Sequence, residues 1–378
     1  MKNKIKIISV VLFISAFVLL TSCQKKKAEW KGTIEEKNGV TVVKNPDEPL
    51  YGELVFDLEE DLSIGKEDDE NYKFYRIADI KVDEDGNIFV IDYGNYRIQK
   101  FDRDGNYLQT IGRQGQGPGE FERPRQLLIE KKKGNLYVHD FPKLKLFDKS
   151  GNYLKDSLLI NYPTELIIDG EENMWGVFLM ASESGSIYGF CKANLQGEII
   201  QKYAEFPFEI TTKKSGDTVI ATSSGFEYDL HFSKIDDQTF IYGYSKEYEL
   251  NVLNKEGSLL FKIKKDGSPD TFTAEEKRKF KGLVLPEHKP FFYSILEDDK
   301  GRIYVQKDKE AQRKEPGPKE CDIFSKDGFY LYKTTLPHPP FIIEKGYFYT
   351  RIIDEETGEY FVKRFKIKNW DQIKEGRS

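Results

Sequence analysis

The chain has 378 residues, with 38% hydrophobic and 32% charged side chains, 27 Phe and 22 Tyr, and a mean hydropathy of −0.60. That composition excludes a multi-pass membrane protein and wholesale disorder, because a polar average rules out the first and the aromatic content opposes the second. A net charge of −6 makes a phosphate backbone a poor partner, so nucleic acid is not expected.

The chain opens with Lys2, Lys4 and Lys6, then an apolar run from Ile7 to Leu20 that is short for a permanent membrane span. It ends at Leu20-Thr21-Ser22-Cys23, which resembles a bacterial lipobox. The resemblance implies cleavage before Cys23, acyl chains on that cysteine, and a lipid-anchored protein in the cell envelope outside the cytoplasm, with the membrane as its first partner. Residues 1–22 are therefore read as the signal peptide. Their loss removes three lysines and no acid, taking the net charge from −6 to −9. Residues 23–50 are polar and are read as a mobile tether.

Residues 51–368 repeat a single pattern. In 80–113 three runs of alternating apolar and polar residues are separated by Asp85-Gly86-Asn87, Asp92-Tyr93-Gly94-Asn95 and Asp104-Gly105-Asn106. Alternation predicts half-buried strands, and Asp-Gly or Gly-Asn supplies the positive φ of tight hairpins. The pattern returns at 127–156, 165–203, 231–263, 294–334 and 341–367, and the glycine of the last hairpin recurs at Gly105, Gly151, Gly197, Gly257 and Gly328. The sixth copy stops after three strands, while residues 51–65 carry a strand pattern without a blade. The expected fold is all-β, a six-bladed β-propeller whose N-terminal strand (51–65) completes blade six, followed by a tail at 369–378.

Asp92, Asn95, Arg97 and Ile98, followed by IGRQGQGPGEFERPRQL (111–127), resemble the NHL repeat and its glycine-rich loop between blades. With the lipobox, the chain is similar to six-bladed β-propeller lipoproteins of Bacteroidetes-type cell envelopes, a resemblance that implies architecture and location without a settled activity.

Three motifs are weighed against chemistry. Gly115 to Gly119 leads through Pro118 into a strand rather than a helix, so it reads as a crossing between blades and not a phosphate loop. Asp83 to Asn87 imitates part of a calcium loop but precedes the strand Phe89-Val90-Ile91, and so reads as a hairpin. His139, His231, His288 and His338 are scattered over separate repeats. Cys191 and Cys321 fall in blades three and five, too far apart for a disulfide, and are expected to be buried thiols.

The starts of the inner strands supply the site candidates. Arg76, Arg125, Glu165, Asp229 and Tyr293 would line the channel mouth and suit a small polar ligand, a peptide or a protein partner. Arg113 and Arg123 would add to a positive rim. The preferred function is therefore a ligand-binding or protein-interaction module with no catalytic constellation and no cofactor. The alternative is a metal-dependent hydrolase or lyase of lactonase-like type, with calcium or zinc held by Asp79, Glu165 and Asp229 at the mouth. Two insertions, 268–292 and 306–320, add individuality; Thr273 before Ala274-Glu275-Glu276 predicts a short helix in the first.

Overall fold

The structure is a computed structural model describing residues 28–65, 69–130, 132–183, 185–209, 211–215, 218–222, 224–307 and 318–377. Cys23 and residues 1–22 lie outside the described residues, as does most of the 306–320 insertion.

Blade one is the antiparallel meander Ile77–Val82, Ile88–Asp92, Arg97–Phe101 and Tyr107–Ile111. Blades two to five follow with inner strands at Pro124–Ile129, Pro163–Ile168, Leu230–Lys234 and Ser294–Glu297. Blade six consists of Pro340–Glu344, Tyr347–Ile353 and Tyr360–Ile367, with Leu58–Ile64 as its outermost strand, antiparallel to Tyr360–Ile367. The chain is thus a six-bladed β-propeller closed by a strand from its N-terminal side.

The recurring glycine has a packing cause. At Gly105, φ is +87° and an added Cβ would lie 2.7 Å from Leu62 on the outer strand of blade six. At Gly151 and Gly328 the clash would be 2.8 Å from Ile111 and Ile263, again on the preceding blade's outer strand. Only glycine gives both the left-handed turn and the close approach that lets one blade seat on the last.

The reading of 23–50 as a mobile tether is corrected for residues 33–45. Thr33–Lys37 and Val40–Asn45 form a hairpin, and Val40–Asn45 runs parallel to Leu259–Lys265, widening blade four to six strands. Val42 and Val43 are buried there, while Asn45 clasps blade five by accepting from the Tyr330 amide (2.8 Å) and donating to the Gly328 carbonyl (2.8 Å). The stretch 51–65 also serves two blades, because Glu53–Leu54 pairs in parallel with blade five's Tyr330–Leu336 before Leu58–Ile64 reaches blade six. The 369–378 tail is docked as far as it is described: Trp370 and Ile373 are buried in the cluster shared by blades five and six.

Cys191 and Cys321 are both buried, in blades three and five. Burial pushes the Cys191 thiol up to about 12, which makes it inert as a nucleophile near neutrality.

Candidate functional site at the channel mouth

In blades one, two and four the inner strand begins at the end of the ring where the second strand finishes, with Ile77 opposite Asp92, Pro124 opposite Asp140 and Leu230 opposite Tyr244; in blade six Pro340 lies opposite Thr350, three residues before the second strand ends. The residues that resemble the NHL motif build this end. Asp92 is fully buried and accepts from the amides of Tyr75 (3.0 Å) and Arg76 (3.3 Å), from Asn95 (2.7 Å) and from Arg97 (3.2 Å). Asp140 repeats the device in blade two, accepting from the amides of Glu122 and Arg123 with buried Lys145 3.5 Å away. These carboxylates fix the backbone from which Arg76, Arg123 and Arg125 reach the mouth. The glycine loop between them is the expected crossing, closed by Gly115 N donating to the Phe121 carbonyl and Gly117 N donating to Glu120.

Four blades place a cation against an aromatic ring at this end. Arg76 lies over Tyr93 (5.2 Å), Arg123 over Phe141 (5.9 Å), Lys246 over Tyr228 (5.2 Å) and Arg351 over Phe341 (5.8 Å). Arg351 is half-buried, donates to the Ile77 carbonyl (2.6 Å) and leaves its Nε buried with no hydrogen-bond partner among the described residues. Burial, with Arg76's charge adding to it, holds Arg351 below the usual guanidinium range. Sequence reasoning missed Arg351, because its place at the end of a second strand shows only when the blades are superposed in register.

The charges divide around the ring. Cations stand on blades six (Arg351), one (Arg76) and two (Arg123, Arg125), whereas Glu165 and Asp229 stand on blades three and four. Lys246 on that acidic side is paired with Glu209 at 3.5 Å. Asp229 accepts from the Tyr188 hydroxyl (2.7 Å), and its own amide donates to Ser245. Tyr293 is not an open platform: it packs against Phe226, Phe272 and Phe280 beneath the insertion between blades four and five.

The expectation that Asp79, Glu165 and Asp229 converge on an ion is corrected. Asp79 is buried, with Oδ1 accepting from the Ile80 amide (2.9 Å) and lying 3.2 Å from the Lys81 ammonium, and Oδ2 accepting from the Leu127 amide of blade two (2.8 Å), so both oxygens already have partners and its charge a counter-ion. Glu165 instead approaches His231 of blade four at 3.6 Å. Among the described residues no three His, Cys, Asp or Glu side chains group as a metal would need.

These contacts belong to a ring of ties. Asp79 links blade one to two and Gln126 donates to the Leu166 carbonyl from two to three, while between three and four the Glu165 carboxylate stands 3.6 Å from His231 Nδ1, which has no hydrogen-bond partner among the described residues. Ser233 donates to Glu297 from four to five, a backbone bridge joins Asp298 to Ile343 from five to six, and Arg351 donates back to blade one. Asp79 and Glu297 thus hold neighbouring blades in register. Burial raises the Glu297 carboxyl, while Ser233 and Lys81 oppose that rise.

His139, on the second strand of blade two, is buried with Nε2 unpartnered among the described residues. Burial, and secondarily the charge of Arg125, lowers it to about 4. The folded protein therefore binds fewer protons than the unfolded chain between pH 6.5 and 4, so this group's contribution is complete above pH 6.5 and is lost as the pH falls to about 4, amounting to about 3 kcal/mol. His139→Gln is expected to flatten the pH dependence of chemical denaturation in that window relative to the parent; parallel curves for the two proteins would contradict this.

A family model described as a 6-bladed beta-propeller matches residues 66–253. Among solved structures, a protein from Bacteroides fragilis described as exported is 11% identical, with a TM-score of 0.54 over 86% of this chain and 99% of that one. A member of the duf4221 family from Bacteroides vulgatus is 12% identical, with a TM-score of 0.51 over 82% of this chain and 98% of that one. Virginiamycin B lyase from Staphylococcus aureus is 10% identical, with a TM-score of 0.43 over 82% and 99%. At these identities the likeness is one of fold alone. No curated protein matches the sequence. No helix among the described residues is long and apolar enough to cross a membrane.

Proposed function

We propose that the protein is a lipid-anchored module of the bacterial cell envelope, held through Cys23 outside the cytoplasm, whose channel mouth binds a dipolar ligand: a small zwitterion or a peptide segment. The supporting observation is the division of charge at the mouth, with Arg351, Arg76 and Arg125 on one arc and Glu165 and Asp229 on the other. A ligand carboxylate would lie toward blades six, one and two, where guanidinium groups offer paired donors, and its ammonium toward blades three and four. The aromatic rings under the cations hold them in place and add apolar contact to the rim.

Thermal unfolding with tripeptide probes tests this reading. Zwitterionic trialanine is expected to raise the melting temperature, and the acetylated and amidated form to leave it unchanged. Arg76→Glu, on an exposed side chain, is expected to abolish the rise without altering the unliganded melting temperature. Equal responses to both peptides, or no response, would overturn it. Separately, mass spectrometry of the membrane-extracted protein is expected to find a diacylglyceryl modification on Cys23, and Cys23→Ala to lack it.

A further inference from the structure

The insertion that follows blade four carries a surface unlike the rest of this acidic body. Helix α1 (Ala274–Lys279) starts with a capping box between Thr273 and Glu276. Lys277, Arg278, Lys279 and Lys281 are all exposed, and none makes an ion pair among the described residues. Beside them Val284 is 65% exposed between half-buried Leu283 and Leu285, at the lip of a cleft of about 530 Å3 floored by Phe272 and Phe280.

The N-terminal side of the chain meets the same face. Asp266, at the start of the insertion, donates its amide to the Asn45 carbonyl (2.9 Å), and Lys265 pairs with Asp47 at 3.0 Å. Trp30 donates to Asn45 (3.0 Å), packs edge-on against Phe329 of blade five, and lies under the guanidinium of Arg377. The described residues therefore begin at the rim of blades four and five. Cys23 is five residues before Ala28, so whatever path joins them, the two α-carbons are no more than about 18 Å apart.

We infer that this rim is a second membrane contact, in which the insertion lies on an anionic lipid surface and holds the propeller in one orientation. The inference rests on the lipid-anchored reading for its biological setting and on the insertion for its chemistry. A body of net charge −9 is repelled by anionic headgroups over most of its surface, whereas residues 268–292 carry five basic against four acidic side chains, and the run Lys277, Arg278, Lys279 and Lys281, without ion pairs among the described residues, marks the face that is attracted. Val284 and its two leucines supply the apolar element that interfacial binding adds to charge. Blades one and two, with Arg76 and Arg125, then face away from the bilayer, because in a six-fold ring they stand opposite blades four and five.

The test uses the unlipidated chain from residue 24, which contains the whole described fold, with vesicles of phosphatidylethanolamine and phosphatidylglycerol and with neutral phosphatidylcholine vesicles. Flotation is expected with the anionic vesicles only, and the paired exposed substitutions Lys277→Glu and Lys281→Glu are expected to weaken it at least about tenfold. An environment-sensitive dye on Val284→Cys is expected to shift to the blue with anionic vesicles, while the same dye on Asp104→Cys of blade one does not respond. Equal flotation with both lipids, flotation indifferent to the paired substitution, or a dye at 284 that stays in water would each overturn the inference. Loss of the Cys23 modification would be read by mass and would leave these outcomes unaffected.

Discussion

A chain started at residue 66 is expected to yield no soluble monomer, whereas one started at residue 47 folds with a lower melting temperature. The longer deletion removes Leu58–Ile64, which pairs with Tyr360–Ile367 from Leu58 opposite Ile367 to Ile64 opposite Val362. It also removes Leu62 and Ile64 from beneath Gly105 of blade one, and takes Asp61 and Glu60 from Arg364 (2.9 Å) and Lys363 (2.9 Å). Losing three apolar side chains from this seam costs about 5 kcal/mol, comparable to the net stability of many domains. It also leaves an apolar edge strand open to pair with another chain. Starting at residue 47 removes the added hairpin, the Asn45 clasp and the Trp30 contacts with Phe329 and Arg377, and the ring stays closed. Size-exclusion chromatography separates the outcomes; a monomeric, cooperatively unfolding chain from residue 66 would show that the closing strand is dispensable.

The second large effect is expected at Arg302. Its Nε donates to Asp298 (2.7 Å), its Nη1 donates to the Ile373 carbonyl (3.0 Å), and its plane lies 4.0 Å from the centre of the Trp370 ring. Tyr304 donates to the same Asp298 oxygen at 2.8 Å, and all of these groups are buried. Burial raises the Asp298 carboxyl above its usual range, and Arg302 is the largest influence opposing that rise. Arg302→Met keeps most of the volume but leaves a buried carboxylate without its counter-charge, at a cost of about 3–5 kcal/mol by denaturant unfolding. The C-terminal segment 370–377 should lose its protection from amide exchange at the same time. Adding Asp298→Asn to Arg302→Met should recover part of the loss, because the uncompensated charge is then gone. A loss below about 1 kcal/mol for the single variant would mean that the pair is not the clasp it looks to be.

The blades were legible because their signal is local. Asp-Gly-Asn turns and period-two alternation need no knowledge of the third dimension, and Gly105, Gly151 and Gly328 recur because a side chain there would strike the preceding blade. The short helix was legible for the same reason, since Thr273 and Glu276 satisfy each other's amides across one turn. The hairpin at 33–45 was obscured by the charged residues around it, although Val40, Val42 and Val43 are β-formers; what it pairs with, Leu259–Lys265, lies more than two hundred residues away. Asp79 and Glu165 read as metal candidates in the alternative function because an acid on an inner strand looks the same in sequence whether it faces an ion or a neighbouring blade. Only the positions of the Leu127 amide and the His231 ring separate the two roles.

The mouth as a binding site is the central claim, and in-cell photo-crosslinking tests it most directly. A benzophenone amino acid would replace Arg123, an exposed residue of the mouth, in the full chain in cells, with a control at exposed Asp104 on a turn of blade one. The expected result is a discrete adduct from position 123, lost when Glu165→Lys is introduced across the mouth, and none from position 104. No adduct at position 123, or one that Glu165→Lys leaves intact, would contradict a dipolar ligand held between the arginines and the acids of this ring.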